Sequence, residues 1–128
     1  MLVKTKLKPS KIEGIGIFAS ESIKKGTIIW AFNPIIDKKI TKKEFDSLPK
    51  IGREYLENYC YINKKGECIL CGDNAKFFNH SESPNTIDCQ DTDNEEIPTI
   101  ASKDISIDEE IVSDYRLFDS GFKMKLKK

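Results

Sequence analysis

Arginine is nearly absent from this chain. Of its 21 basic residues only Arg53 and Arg116 are arginine, and the remainder are lysine. Lysine lacks the flat fork that reads phosphates and guanine edges. The 21 basic side chains are also balanced by 21 acidic ones, without the basic excess of a general nucleic-acid binder. No direct nucleic-acid partner is expected. No window approaches the apolar run needed to cross a bilayer, so no membrane partner is expected either. The start, Met1-Leu2-Val3-Lys4-Thr5-Lys6, lacks the apolar block and cleavage site of a secretory signal. The expectation is a cytoplasmic protein, or a nuclear one in a eukaryote or a host cell, with reduced cysteines. At 128 residues and 38% hydrophobic content the chain fits one domain with a thin core.

Cysteine is scarce, and its spacing is uneven. Cys68 and Cys71 form a C-x-x-C, but Cys60 and Cys89 do not repeat it. A zinc ribbon usually shows two such knuckles. Cys68-Ile69-Leu70-Cys71 also reads as a short apolar strand, so buried thiols are expected and no metal is assigned.

What is present is a series of short, isoleucine-rich runs bounded by turn residues, the mark of strands. Ile15–Ala19 and Thr27–Phe32 flank a Lys24-Lys25-Gly26 turn, and Pro34 limits further pairing. Thr41-Lys42-Lys43-Glu44 is a capping box that predicts a helix from about Lys42 to Ser47. A second helix is expected over Ile51–Asn58, with Ile51, Tyr55 and Asn58 or Tyr59 on one face. Tyr59–Ile62 and Glu67–Leu70 form a hairpin through Gly66. Thr86–Cys89 pairs with Ile97–Ala101 around an acidic loop, and a last strand covers Glu110–Ser113. The absence of βαβ alternation excludes a doubly wound parallel sheet.

Three clusters carry chemistry. Gly14-Ile15-Gly16 allows close approach of backbone to a ligand, though a tight turn is its commoner meaning. Phe77-Phe78-Asn79-His80-Ser81, followed by Pro84-Asn85, sets the lone histidine between an aromatic pair and a turn. The plain alternative is a polar loop whose side chains satisfy neighbouring backbone groups. Glu109-Glu110-Ile111-Val112-Ser113-Asp114-Tyr115 is a strand with a tyrosine at its exit, a position usually filled for packing.

In this order and spacing, the three clusters resemble the SET-domain family of protein lysine methyltransferases, from about Lys8 to Phe118. The match is nearest to its small stand-alone bacterial and viral members. The resemblance implies a mainly β, β-clip-like fold of small sheets with a short helical insert and a C-terminal pseudoknot-like crossing. It spans residues 1–128 as one domain, with 119–128 as a tail. It implies S-adenosylmethionine as cofactor, bound by Gly14, Ile15, Gly16, Phe78, Asn79, His80 and Tyr115, with Tyr115 as the catalytic residue. Phe32, Ser113 and Phe118 would line the substrate channel. A lysine-containing protein or peptide is the implied partner, and a homodimer is a known arrangement among such small proteins.

The implied reaction is in-line methyl transfer to a neutral amine. An apolar channel assists by disfavouring the ammonium form of lysine, whose free pKa is about 10.4. Two departures stand out. Phe32 occupies the place of a family tyrosine, and Ser113 that of a bulkier aromatic, which widens the channel. Phe118 and Phe122 are candidates to pack over the cofactor. Three rival readings are a SET-fold binding module without turnover, a zinc-stabilised interaction domain, and methylation of a small molecule or a non-histone protein.

Overall fold

The computed structural model of the protein describes residues 1–63, 65–89 and 96–117. The isoleucine-rich runs become strands too short to form one large sheet. β1 (Thr5–Pro9) pairs antiparallel with β2 (Ile15–Ala19), setting Leu7 opposite Ile17. β2 has the expected boundaries. β1 is not visible as an apolar run because Lys6 and Lys8 alternate with Leu7 along an edge, where charge discourages pairing with other chains. β3 (Ile28–Trp30) ends before Pro34, and pairing resumes in a different sheet at β4 (Lys38–Ile40).

The helical insert follows. Thr41 and Glu44 close the capping box reciprocally, at 3.1 and 3.0 Å, and α1 (Lys42–Asp46) is one residue shorter than expected. α2 (Lys50–Tyr59) buries Leu56 and not the expected face: Ile51 is 80% exposed and Tyr55 is exposed. The stripe Gly52, Leu56 and Cys60, spaced by four, turns inward instead, with the Gly52 position against Leu48. Propensity placed the helix, and contact with Ile40 and Cys68 chose its face.

β5 (Tyr61–Ile62) and β6 (Cys68–Leu70) form the expected hairpin, and β6 sits between β4 and β5. Here the expectation of free thiols is corrected. Cys60 caps α2 and Cys68 opens β6, so hairpin closure brings their Cα atoms within 6.0 Å, and they form a disulfide. Cys71 and Cys89 lie outside this disulfide. The bond removes Cys68 from any C-x-x-C metal knuckle.

After a 3-10 turn at Asn74–Phe77 comes β7 (Asn79–His80). β8 (Thr86–Asp88) and β9 (Thr99–Ala101) pair antiparallel, with β9 central between β3 and β8. Most of the acidic loop between them lies outside the described residues, as do Phe118, Phe122 and the tail. β10 (Val112–Ser113) runs parallel to β7, with Val112 opposite Asn79 and Ser113 opposite His80. This pairing joins the two most distinctive sequence clusters. Glu110, expected in the same strand, makes an isolated bridge to Phe18.

The main core is small and built from Ile17, Ile23, Ile29, Ile105 and Ile111 with Ala19 and Ala101. Burying isoleucine contributes roughly 1.5–3 kcal/mol per side chain. The core therefore fastens β2, β3 and β9 to the segment entering β10. Among the described residues no helix is long and apolar enough to cross a membrane.

Candidate active site

Glu110 organises the first half of the site. Its carboxylate accepts from Ser10 Oγ at 2.8 and 3.0 Å and from Asn79 Nδ2 at 2.9 Å. Gly16 makes this possible, because a Cβ there would lie 2.3 Å from Glu110 Oε2. Gly16 thus serves the approach of a carboxylate, and it does not line the adjoining cavity. Gly14 has a different role. It adopts φ +48°, and an added Cβ would meet no atom within 4 Å, so its requirement is conformational. Asn79 Nδ2 also reaches the carbonyl of Glu13 at 3.2 Å, tying the glycine loop to β7.

The loop and β7 form one side of a cavity of about 520 Å³. Gly14, Ile15, Phe78, Asn79, His80 and Tyr115 all line it. Six of the seven residues expected at the cofactor therefore converge, and Gly16 stands behind them. Glu13, Lys76 and Phe77 join the wall.

His80 and Tyr115 hold each other. Tyr115 N donates to His80 Nδ1 at 3.1 Å, and the rings lie 5.2 Å apart. In this arrangement Nδ1 is the acceptor, which assigns the ring proton to Nε2. The Tyr115 hydroxyl donates to the Phe78 carbonyl. Next to it, Asp114 is buried, and the Arg116 guanidinium bonds it at 2.6 and 2.9 Å. Arg116 holds the Asp114 carboxyl below its ordinary range, against the opposing effect of burial, and Asp114 in turn raises Arg116.

A second cavity, of about 290 Å³, opens beside the first. Tyr115, Phe78, Lys76, Tyr59 and Asn58 line both cavities. The second also has Trp30, Tyr61, Asp88, Glu96, Thr99 and Ser113 on its wall. Of the expected channel residues, only Ser113 lies here, with its hydroxyl 2.9 Å from Thr86 Oγ1. Phe32 packs on the Trp30–Cys71–Ala75 cluster and lines neither cavity. Phe118 lies outside the described residues.

Sequence reading missed the polar end of this cavity. Glu96, 5% exposed, accepts from the Tyr61 hydroxyl at 2.6 Å and from Asn63 Nδ2 at 3.1 Å. Burial, then the Glu96 carboxylate, pushes the Tyr61 phenol well above its ordinary pKa. Nothing in the sequence marked Glu96, since it follows a run of exposed-looking acidic residues. The Tyr61 hydroxyl supplies aromatic polarity to the wall that Phe32 does not.

Asn85 and Thr86 lock the crossing. Asn85 Nδ2 donates to the Glu110 carbonyl at 2.8 Å, while its Oδ1 accepts from Val112 N at 2.9 Å. Thr86 Oγ1 lies 2.9 Å from the Val112 carbonyl. Asn85 thus satisfies neighbouring backbone, as the plain reading of that loop held.

With this geometry in place, comparison with known proteins decides the family. Residues 14–116 match the SET domain. The chain belongs to the SET-domain family. SET-domain methyltransferases transfer methyl groups from S-adenosylmethionine to lysine. A solved structure of a Plasmodium falciparum protein assigned as a histone methyltransferase is similar, at 24% identity and TM-score 0.62. It covers 90% of this chain and 95% of that one. Polycomb Repressive Complex 2 of Chaetomium thermophilum, in an autoinhibited conformation bound to S-adenosylmethionine, matches at 22% identity and TM-score 0.69. That match covers 99% of this SET chain but only 17% of the other chain. At such identities the likeness shows the shared fold. No curated protein matches the chain by sequence.

Proposed function

We propose that this SET domain transfers a methyl group from S-adenosylmethionine to a lysine ε-amine of a protein or peptide. The observation that carries this reading is the position of Tyr115 on the wall common to two cavities. One is suited to the methyl donor and the other to an alkyl amine.

The first cavity suits the donor chemically. Its wall offers exposed Glu13 and half-buried Lys76, one charge of each sign, for a zwitterionic amino-acid end. Phe77, Phe78 and Tyr115 offer aromatic surface for a purine and a sulfonium. The loop at Gly14 and Ile15 and the backbone of Asn79 and His80 are the residues that would hold it. When bound, S-adenosylmethionine supplies a methyl group made electrophilic by the positive sulfur.

The chain's own residues do the rest by placement. Tyr115 donates its phenolic proton to Phe78, so the hydroxyl oxygen is oriented as an acceptor. An oxygen so fixed can hold an amine N–H or a polarised C–H in line. His80 and Asp114–Arg116 fix the backbone on either side of Tyr115. Trp30, Tyr59, Tyr61, Phe78 and Tyr115 on the wall of the second cavity take an amine out of water, which disfavours its ammonium form, while Glu96 at the polar end works in the opposite direction. Near-attack alignment of this kind contributes about 7–11 kcal/mol in favourable cases. A metal has no role in this scheme.

The test is a radiolabelled-methyl transfer assay of the purified protein on lysine-rich peptides and on cell lysates, with the label located by mass spectrometry. Label on a lysine ε-nitrogen is the expected result. Donor binding by calorimetry without any label transfer would support the binding module instead. Cytoplasmic or nuclear residence and a homodimeric state belong to the same proposal. Cell fractionation and sedimentation analysis of the tagged full chain test them.

A further inference from the structure

The last turn of α2 stands at the junction of the two cavities. Asn58 and Tyr59 line both of them, and the Tyr59 ring packs on Phe77 with centroids 5.7 Å apart. Leu56 is the one buried side chain of α2 among the described residues. Two further ties reach earlier turns of the helix. The Tyr55 hydroxyl accepts from the Lys76 ammonium at 3.1 Å, and Arg53 donates to the Leu48 carbonyl at 2.8 Å. The small cluster beneath the helix has four buried members, Ile40, Leu56, Cys60 and Cys68. Half of that cluster is therefore the disulfide itself.

Cys60 follows Tyr59 directly, and its amide closes the helix on the Leu56 carbonyl at 2.9 Å. The bond to Cys68 fixes this end of α2 to β6, the central strand of its sheet. Beyond Cys60, Tyr61 is anchored separately by Glu96. Breaking the bond thus leaves β5 its own anchor and removes the covalent hold on the residues just before it. A segment with few buried apolar contacts opens locally, without unfolding of the main core.

We infer that the Cys60–Cys68 bond is a redox switch for the wall shared by the two cavities. Oxidised, it holds Asn58 and Tyr59 in place; reduced, it lets the last turn of α2 open. In a reducing cell compartment such a bond is transient and redox-sensing rather than permanent. The reductant is a dithiol of the thioredoxin class. One of its thiolates attacks a sulfur of the bond, forming a mixed disulfide and expelling the other cysteine as a thiolate. Its second thiolate then displaces the remaining cysteine. Two electrons pass to the protein, whose released thiolates take up the protons that the dithiol lost, and the dithiol leaves as a disulfide. The switch deepens the proposed function by naming a control on its site, and it rests on that reading only for the ligand it gates.

The test compares the oxidised full chain with the same protein after dithiothreitol, the state of the bond being checked by alkylation and intact mass. Hydrogen exchange read by mass spectrometry follows residues 56–60 against β2 and β9. On reduction the segment should gain about tenfold or more in exchange rate relative to those strands, because its opening no longer needs the core to unfold. Calorimetric affinity for S-adenosylmethionine should fall by about tenfold or more, as the fraction of protein with a formed wall declines. Reoxidation should restore both. The double variant Cys60→Ser/Cys68→Ser should behave as the reduced protein and ignore dithiothreitol. Should it fail to fold, the reversible change in the wild type decides. Unchanged exchange would overturn the inference, as would equal speeding of segment and core, the mark of a global loss of stability. Donor binding of equal strength in both states would overturn it too. If neither state binds the donor, the proposed function fails and exchange alone decides the switch.

Discussion

The two cavities meeting at Tyr115 are built in different ways. The donor-side cavity is made from contiguous segments, Glu13–Ile15 and Lys76–His80, and presents much of its backbone. The other gathers single side chains from across the chain, such as Trp30, Tyr61, Glu96 and Ser113. A cofactor that does not vary can be met by a fixed run of backbone. A substrate side chain is met by side chains, each free to differ. The contrast predicts that damage to the donor side acts through the fold, whereas damage to the other side acts through selectivity.

The largest expected effect breaks the frame that both cavities share. Asn85→Ala removes the side chain that satisfies Val112 N and the Glu110 carbonyl. Orphaning a buried N–H and a half-buried carbonyl should cost about 3 kcal/mol in all, measured as a lower urea midpoint with an unchanged slope. Next is the disulfide that ties α2 to the hairpin bearing Tyr61 and Asn63. Its loop is short, with a sequence separation of 8. Reduction by a dithiol, or Cys60→Ser, should cost roughly 2–3 kcal/mol. Thermal melts with and without reductant measure this, and the Cys60→Ser protein should no longer respond to reductant.

A third change sharpens the contrast on the donor side alone. Gly16→Ala places a methyl against a carboxylate already held by Ser10 and Asn79. A destabilisation of about 1–3 kcal/mol is expected, with weakened donor binding in calorimetry.

The smallest effect is on pH. Arg116 holds the Asp114 carboxyl below its ordinary value of 3.8, so the folded state takes up that proton less readily than the unfolded state. The associated stability is present above that ordinary value and is lost as pH falls through the depressed folded one. Urea titrations below pH 4 should show this slope, and Asp114→Asn should flatten it.

How much the sequence revealed follows the same division. Ile15–Ala19, the Thr41 capping box and the Asn79–His80 segment were legible because each is a local signal: a run, a cap or a motif. β1 and β4 were not, since lysine supplies most of their outward side chains and their pairing is decided by partners in sequence-distant strands. The inward face of α2 was misread because Ile51 and Tyr55 outweigh Gly52 in hydrophobicity, although the small residue is what permits close packing. Gly16 was read as a ligand contact, yet its neighbour is Glu110, a residue the motif carried without any sign of its role. Glu96 and Tyr61 were invisible because only the folded chain brings residues 35 apart into a hydrogen bond.

Donor binding and methyl transfer, measured side by side on Tyr115→Phe, test the central claim most directly. The exchange removes one hydroxyl and keeps the ring that lines both cavities. Calorimetry should find S-adenosylmethionine bound within a few-fold of wild type, while label transfer to lysine falls by about 100-fold or more, the scale of a lost positioned polar group. Undiminished transfer by the phenylalanine protein would contradict the placement of Tyr115 at the reacting centre.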